Sequence, residues 1–140
     1  MKELVGFKAN YLWFPVGTGS LLHSFFSTIT YHLEPKGPRS KYPLIVGDLY
    51  QGKLLLKDIN AAIHEVEEIR MLLKEIPPEK VIWDLEDLDK APPWGNDISD
   101  EITDLSNYFV TSDGVDLFEK LLSALVKAHE FEFDLEIVSL

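Results

Sequence analysis

Residues 112–137, SDGVDLFEKLLSALVKAHEFEFDLEI, change hydrophobic period part-way along, and that change decides the fold class. Leu117, Phe118, Leu121, Leu122, Leu125 and Ala128 recur at the spacing of one helical face, with Ser112-Asp113-Gly114 as starting residues ahead of them. From Phe131 the period drops to two. Phe131, Phe133, Leu135 and Ile137 alternate with Glu132, Asp134 and Glu136, the pattern of a strand with one buried face. A helix that feeds a half-buried strand requires a sheet elsewhere in the chain to pair with it.

The partners lie upstream. Val5, Phe7, Ala9, Tyr11 and Trp13 alternate with more polar neighbours and predict a strand over residues 5–13. Pro15 and the cluster Gly17-Thr18-Gly19-Ser20 stop it, and Leu22, Phe25, Phe26, Ile29 and Leu33 then predict a helix from 20 to 34. Pro35, Gly37, Pro38 and Pro43 make a loop, and the apolar run 44–50, which has no clear period, fits a short helix or a buried strand, the helix being preferred. Ile59, Ala62, Ile63, Val66, Ile69, Leu73 and Ile76 form a stripe opposite Glu65, Glu68 and Lys74, with Asp58 as cap and Pro77-Pro78 as terminator. Val81-Ile82-Trp83 and residues 105–111, which contain Tyr108, Phe109 and Val110, read as two more short strands. Strands and helices do not alternate as in a parallel doubly wound sheet. The expectation is an α+β fold: a mixed or antiparallel sheet of about four strands with three main helices on one face.

At 140 residues and 46% hydrophobic content the chain has the size and apolar surface of a single domain, taken to span 1–140. Thirteen Lys and Arg against 24 Asp and Glu leave a net charge of −11, which repels phosphate backbones and anionic headgroups. Direct nucleic-acid and membrane contact are therefore disfavoured, and a basic protein is the favoured partner. There is no cysteine, hence no disulfide, thiolate ligand or thiol nucleophile. With no signal-type h-region after Met1-Lys2-Glu3 and no apolar run of spanning length, a cytoplasmic location is expected.

The charge is unevenly spread. Asp84, Glu86, Asp87, Asp89, Asp97, Asp100, Glu101 and Asp104 face the single base Lys90, a net of −7 within 21 residues. Trp83, Leu85, Leu88, Trp94 and Ile98 are interleaved with them, so the segment differs from a solvated acidic tail and resembles the aromatic-anchored, charge-rimmed composition of an interface. Trp94, between Pro93 and Gly95, is the candidate anchor, although both tryptophans also suit a packing role. A divalent-metal reading fits the spacing poorly, because the EF-hand pattern is missing and no histidine pair accompanies the acids.

Other motifs carry less. Val16-Gly17-Thr18-Gly19-Ser20 precedes a helix but matches neither G-x-x-x-x-G-K-[ST] nor G-x-G-x-x-G, and Thr18 or Ser20 as a helix cap accounts for it. His23 and His32 are two and a half turns apart on one helix and do not share a metal in the i, i+4 manner; His64 and His129 are isolated. No G-x-S-x-G elbow supports a nucleophilic triad. No catalytic, cofactor-binding or metal-binding residues are assigned.

The words Tyr11-Leu12-Trp13-Phe14-Pro15-Val16-Gly17-Thr18-Gly19, His23-Ser24-Phe25-Phe26-Ser27-Thr28-Ile29, Leu49-Tyr50-Gln51-Gly52-Lys53-Leu54, Val81-Ile82-Trp83-Asp84-Leu85-Glu86-Asp87-Leu88, Pro92-Pro93-Trp94-Gly95 and Asn107-Tyr108-Phe109-Val110-Thr111 span nearly the whole chain. In these the sequence resembles the immunity protein 70 family of bacterial polymorphic toxin systems. The resemblance implies a non-enzymatic cytoplasmic antidote, encoded beside a toxin, that binds the toxin domain and blocks it. It implies no particular binding residues. The residues themselves nominate Asp84, Glu86, Asp87, Asp89, Asp97, Asp100 and Glu101 for steering and pairing, with Trp94 as anchor; a nuclease toxin with a basic cleft would suit them. The rival readings are a small metal- or carboxylate-dependent hydrolase using acids near Asp84 with a histidine, and an acidic adaptor subunit.

Overall fold

The computed structural model describes residues 4–95 and 97–139. It contains one four-stranded sheet, entirely antiparallel, in the order β2-β1-β4-β3: β1 is Leu4–Ala9, β2 Leu12–Thr18, β3 Lys53–Leu54 and β4 Leu135–Ser139. Three long helices complete the α+β fold: α1, Gly19–Leu33; α2, Ile59–Leu73; and α3, Leu117–Phe131. Residues Pro43–Leu49 add the expected short helix, wound as a π-helical turn in which Tyr50 N–H donates to the Ile45 carbonyl at 3.2 Å. Among the described residues no helix is long and apolar enough to cross a membrane.

The strand expected over 5–13 is two strands of a hairpin. The alternation runs through a two-residue turn at Asn10-Tyr11, so Ala9 pairs with Leu12 and Asn10 takes the left-handed conformation at φ 56°. Phe7 and Ala9 point into the core, whereas Lys8 and Trp13 pair on the other face. Between Val5↔Gly17 and Gly6↔Pro15 the register slips, leaving Val16 unpaired in a bulge and buried. Thr18 Oγ1 then accepts the Leu21 N–H at 3.2 Å and starts α1, as the capping reading of the glycine-rich run expects.

Helix α1 is buried nearly all round. Phe25, Phe26 and Ile29 join the core, and Phe25 makes edge-to-face contacts with Phe109 and Phe118 at 5.4 and 5.0 Å. Its Ser24, Ser27 and Thr28 are buried as well, and they explain two departures from the sequence reading. Val81-Ile82-Trp83 forms no strand, because α1 side chains satisfy its backbone instead: Ser24 Oγ donates to the Ile82 carbonyl at 2.7 Å, and Ile82 N–H donates to Thr28 Oγ1 at 3.1 Å. Residues 105–111 likewise form no strand beyond an isolated bridge between Val110 and Asp116. Leu105 N–H goes to the Ile76 carbonyl and Ser112 N–H to the Val16 carbonyl, so this stretch is tied to the residues after α2 and to β2 by single bonds and not by a ladder.

Helix boundaries depart in smaller ways. The preceding 3₁₀ turn Leu56–Asp58 runs into α2, and Asp58 makes no side-chain cap. Ser112-Asp113-Gly114 is a turn, and Asp116 caps α3 by accepting Phe118 N–H at 2.9 Å. Phe131 still belongs to α3, which ends on Glu132 in the left-handed conformation at φ 61°, so the final strand starts at Leu135.

Candidate protein-binding surface

Two consecutive turns open the acidic segment. Asp87 N–H donates to the Asp84 carbonyl and Lys90 N–H to the Asp87 carbonyl, each at 3.1 Å, while Asp84 Oδ1 accepts Glu86 N–H and Asp87 Oδ1 accepts Asp89 N–H. Aspartate at the first position of each turn hydrogen-bonds two residues ahead, the local chemistry that makes a D-x-x-D spacing turn. The turns are fastened to α1, because Leu85 N–H donates to Ser27 Oγ at 3.1 Å.

The eight acids then divide by environment. Asp84 is half-buried and faces inward, with Oδ1 3.0 Å from His23 Nε2 and Oδ2 3.5 Å from Lys90 Nζ. The hydrogen bond to His23 is the main cause that lowers its pKa, followed by the bond from Glu86 N–H. Asp104 is turned inward too: burial works against its ionisation, but hydrogen bonds from Ser106 and Thr103 outweigh it and hold its pKa low. Glu86, Asp87, Asp89, Asp97, Asp100 and Glu101 are exposed and form no ion pairs among the described residues. Three histidine, aspartate or glutamate side chains do not converge anywhere among those residues.

Trp94 sits between the two acidic runs with 42% of its surface exposed. Its ring meets Trp83 edge-to-face at 5.4 Å, and its indole N–H donates to the Tyr108 hydroxyl at 2.8 Å. An apolar hollow beside it is lined by Leu21, Ile98, Ile102 and Val110. Trp94 is thus held by two aromatic neighbours and stays partly exposed, with Asp97 lining the same hollow.

A model of the family described as Immunity protein 70 matches residues 7–137. The chain belongs to this family. The Immunity protein 70 match runs from β1 to β4 and takes in the whole acidic segment. No curated protein and no solved structure matches the chain.

The sequence alone did not bring His23 and Tyr50 to this surface. His23 Nδ1 is hydrogen-bonded to the Tyr50 hydroxyl while Nε2 meets Asp84, so an Asp84–His23–Tyr50 line ties the acidic segment, α1 and the end of the π-helical turn together. Tyr50 stacks on Phe26 at 4.4 Å and 23°, and its hydroxyl pKa is raised by burial and then by the Glu86 and Asp84 carboxylates. The three residues are 27 and 61 positions apart in pairs, and no local period signals their meeting.

Proposed function

We propose that this protein is a cytoplasmic immunity protein, acting as one domain, that binds a cognate polymorphic toxin stoichiometrically and neutralises it without catalysis. In this reading the toxin presents a basic surface, such as a nuclease cleft, to Glu86, Asp87, Asp89, Asp97, Asp100 and Glu101, and Trp94 is desolvated at the centre. Asp84 acts from beneath, holding the first acidic turn to α1. The observation that carries the reading is the run of exposed, unpaired carboxylates that flanks a half-exposed Trp94 in sequence, in a chain that matches an immunity-protein family.

The test is co-expression with the toxin domain encoded by the neighbouring gene. Rescue of growth together with a stable complex on size exclusion is expected; rescue without any complex, or no rescue, would sink the proposal.

The Asp84–His23 contact favours one further reading, a small hydrolase with a histidine brought to a carboxylate. Stoichiometry separates the two. An inhibitor protects in proportion to toxin and reaches full effect at equimolar ratio, whereas an enzyme protects at a small fraction of it, and His23→Ala would abolish protection without abolishing binding.

A further inference from the structure

Between α1, the loop 35–42 and Leu85-Glu86 lies a cavity of about 280 Å³ whose walls include Phe26, Arg39, Val46, Tyr50, Leu85 and Glu86. The Asp84–His23–Tyr50 line sets the polarity of its Tyr50 end. An ionised Asp84 can only accept, so His23 Nε2 donates to it; in the Nε2–H tautomer Nδ1 keeps a lone pair, which takes the Tyr50 hydroxyl proton. With its proton committed, the Tyr50 oxygen can offer the cavity only lone pairs. Glu86, exposed at the same wall and free of ion pairs among the described residues, also only accepts. The Tyr50 ring adds a π surface, 41% of the residue being exposed.

Acceptors, a carboxylate and an aromatic ring together suit a donor-rich cation. We propose that this cavity is a socket for a basic side chain of the partner protein, best an arginine, whose guanidinium lies against Tyr50 and donates to Glu86 and the Tyr50 oxygen. A planar guanidinium can stack and pair at once, which an ammonium cannot. The proposal rests on the toxin-binding reading for the source of that side chain, but the chemistry of the socket stands apart from it.

Arg39 makes the idea falsifiable in sign. It sits in the left-handed region at φ 70°, its stem packed over Gly47, where a Cβ would stand 3.0 and 3.2 Å from Arg39 Cδ and Cγ. Its charge lines the same cavity, so it opposes a cationic guest and would welcome an anionic one.

The experiment is an amide NMR titration of the isolated protein at neutral pH with two small probes, Nα-acetyl-arginine amide and Nα-acetyl-glutamate amide. Saturable shifts at Gln51, Leu85 and Glu86 with the arginine probe are expected, weakened about threefold in Glu86→Gln and in Tyr50→Phe and tightened in Arg39→Ala. Spectral dispersion checks that each variant is folded. The proposal is overturned if the glutamate probe saturates these amides and Arg39→Ala abolishes that binding, or if neither probe shifts them. Because no toxin is present, failure here leaves the toxin-binding reading standing, and failure of toxin capture leaves a positive titration intact.

Discussion

The Asp84 carboxylate accepts a hydrogen bond from His23 Nε2 at 3.0 Å, across 61 residues of sequence, and thereby ties the start of the acidic segment to the first turns of α1. This bond is the largest influence lowering the Asp84 pKa from its ordinary 3.8. A carboxyl with a depressed folded pKa contributes stability that is complete above its ordinary value and is lost as pH falls through the folded value. In His23→Ala the Asp84 carboxyl is expected to titrate closer to 3.8 by carbon-detected NMR, with a shallower acid limb in the unfolding curve. An unmoved titration would assign the shift to Lys90 or to Glu86 N–H instead.

The Trp94 indole N–H donates to Tyr108, which is itself buried and whose pKa is raised by that burial. Trp94→Phe keeps a ring against Trp83 but removes the donor, so it should lower stability by about 1 kcal/mol in urea titration. Trp94→Ala should cost more, because the contact with Trp83 goes too. If Trp94 is also the interface anchor, the Ala variant raises the dissociation rate from the toxin more than its stability loss can explain.

Gly6 tests the sheet. A Cβ there would stand 2.6 Å from the Phe14 carbonyl oxygen and 2.7 Å from the Trp13 ring. Gly6→Ala is therefore expected to destabilise by roughly 2 kcal/mol or more. Adding Trp13→Ala removes the ring but leaves the carbonyl in place, so the double variant should recover little of the loss in thermal melts. Full recovery would mean that the ring alone forbids the side chain.

Glu65 holds the π-helical turn to α2 by accepting Ile45 N–H at 2.9 Å and Leu44 N–H at 3.4 Å. Burial raises its pKa above the ordinary 4.5, and the two N–H bonds only partly offset it. With a raised folded pKa, this group's contribution is complete below 4.5 and declines as pH climbs through the folded value. Glu65→Gln keeps an acceptor and cannot ionise, so it should remove that part of the pH slope. Glu65→Ala strands two donors and should cost roughly 1–3 kcal/mol at every pH. Urea titrations at acid and neutral pH compare the three proteins.

The sequence carried what local periodicity can carry. The stripes of α2 and α3, the Thr18 cap and the alternation leading to β4 all follow from spacing within a few residues. The hairpin was hidden because Asn10-Tyr11 lacks the glycine that marks such a turn and the alternation passes through it undisturbed. Val81-Ile82-Trp83 has strand composition, but composition cannot reveal that Ser24 and Thr28, more than fifty residues away, occupy its hydrogen bonds. The two-residue strand β3 is too short for any period. For the candidate site, the acids and Trp94 were legible as residue types, whereas the inward turn of Asp84 and the placement of His23 and Tyr50 depend wholly on long-range packing.

That division among the acids yields the sharpest binding test. Asp97, Asp100 and Glu101 are exposed and make no ion pairs among the described residues, so their reversal to lysine breaks none of the salt bridges seen in the fold. It changes the net charge of the segment by six and should lower the association rate with a basic toxin by roughly tenfold or more at low salt. The dissociation rate should move less, because rim charges act mainly on encounter. Raising ionic strength screens the steering field, so the wild-type rate falls steeply while that of the variant stays flat. Asp84→Asn is the contrasting case: it removes one charge from the field but also the carboxylate that faces His23, so its main effect should be a looser segment, visible as faster amide exchange at Leu85 and Glu86. Stopped-flow rates that are equal for wild type and the triple reversal at low salt would move the toxin contact away from residues 97–101.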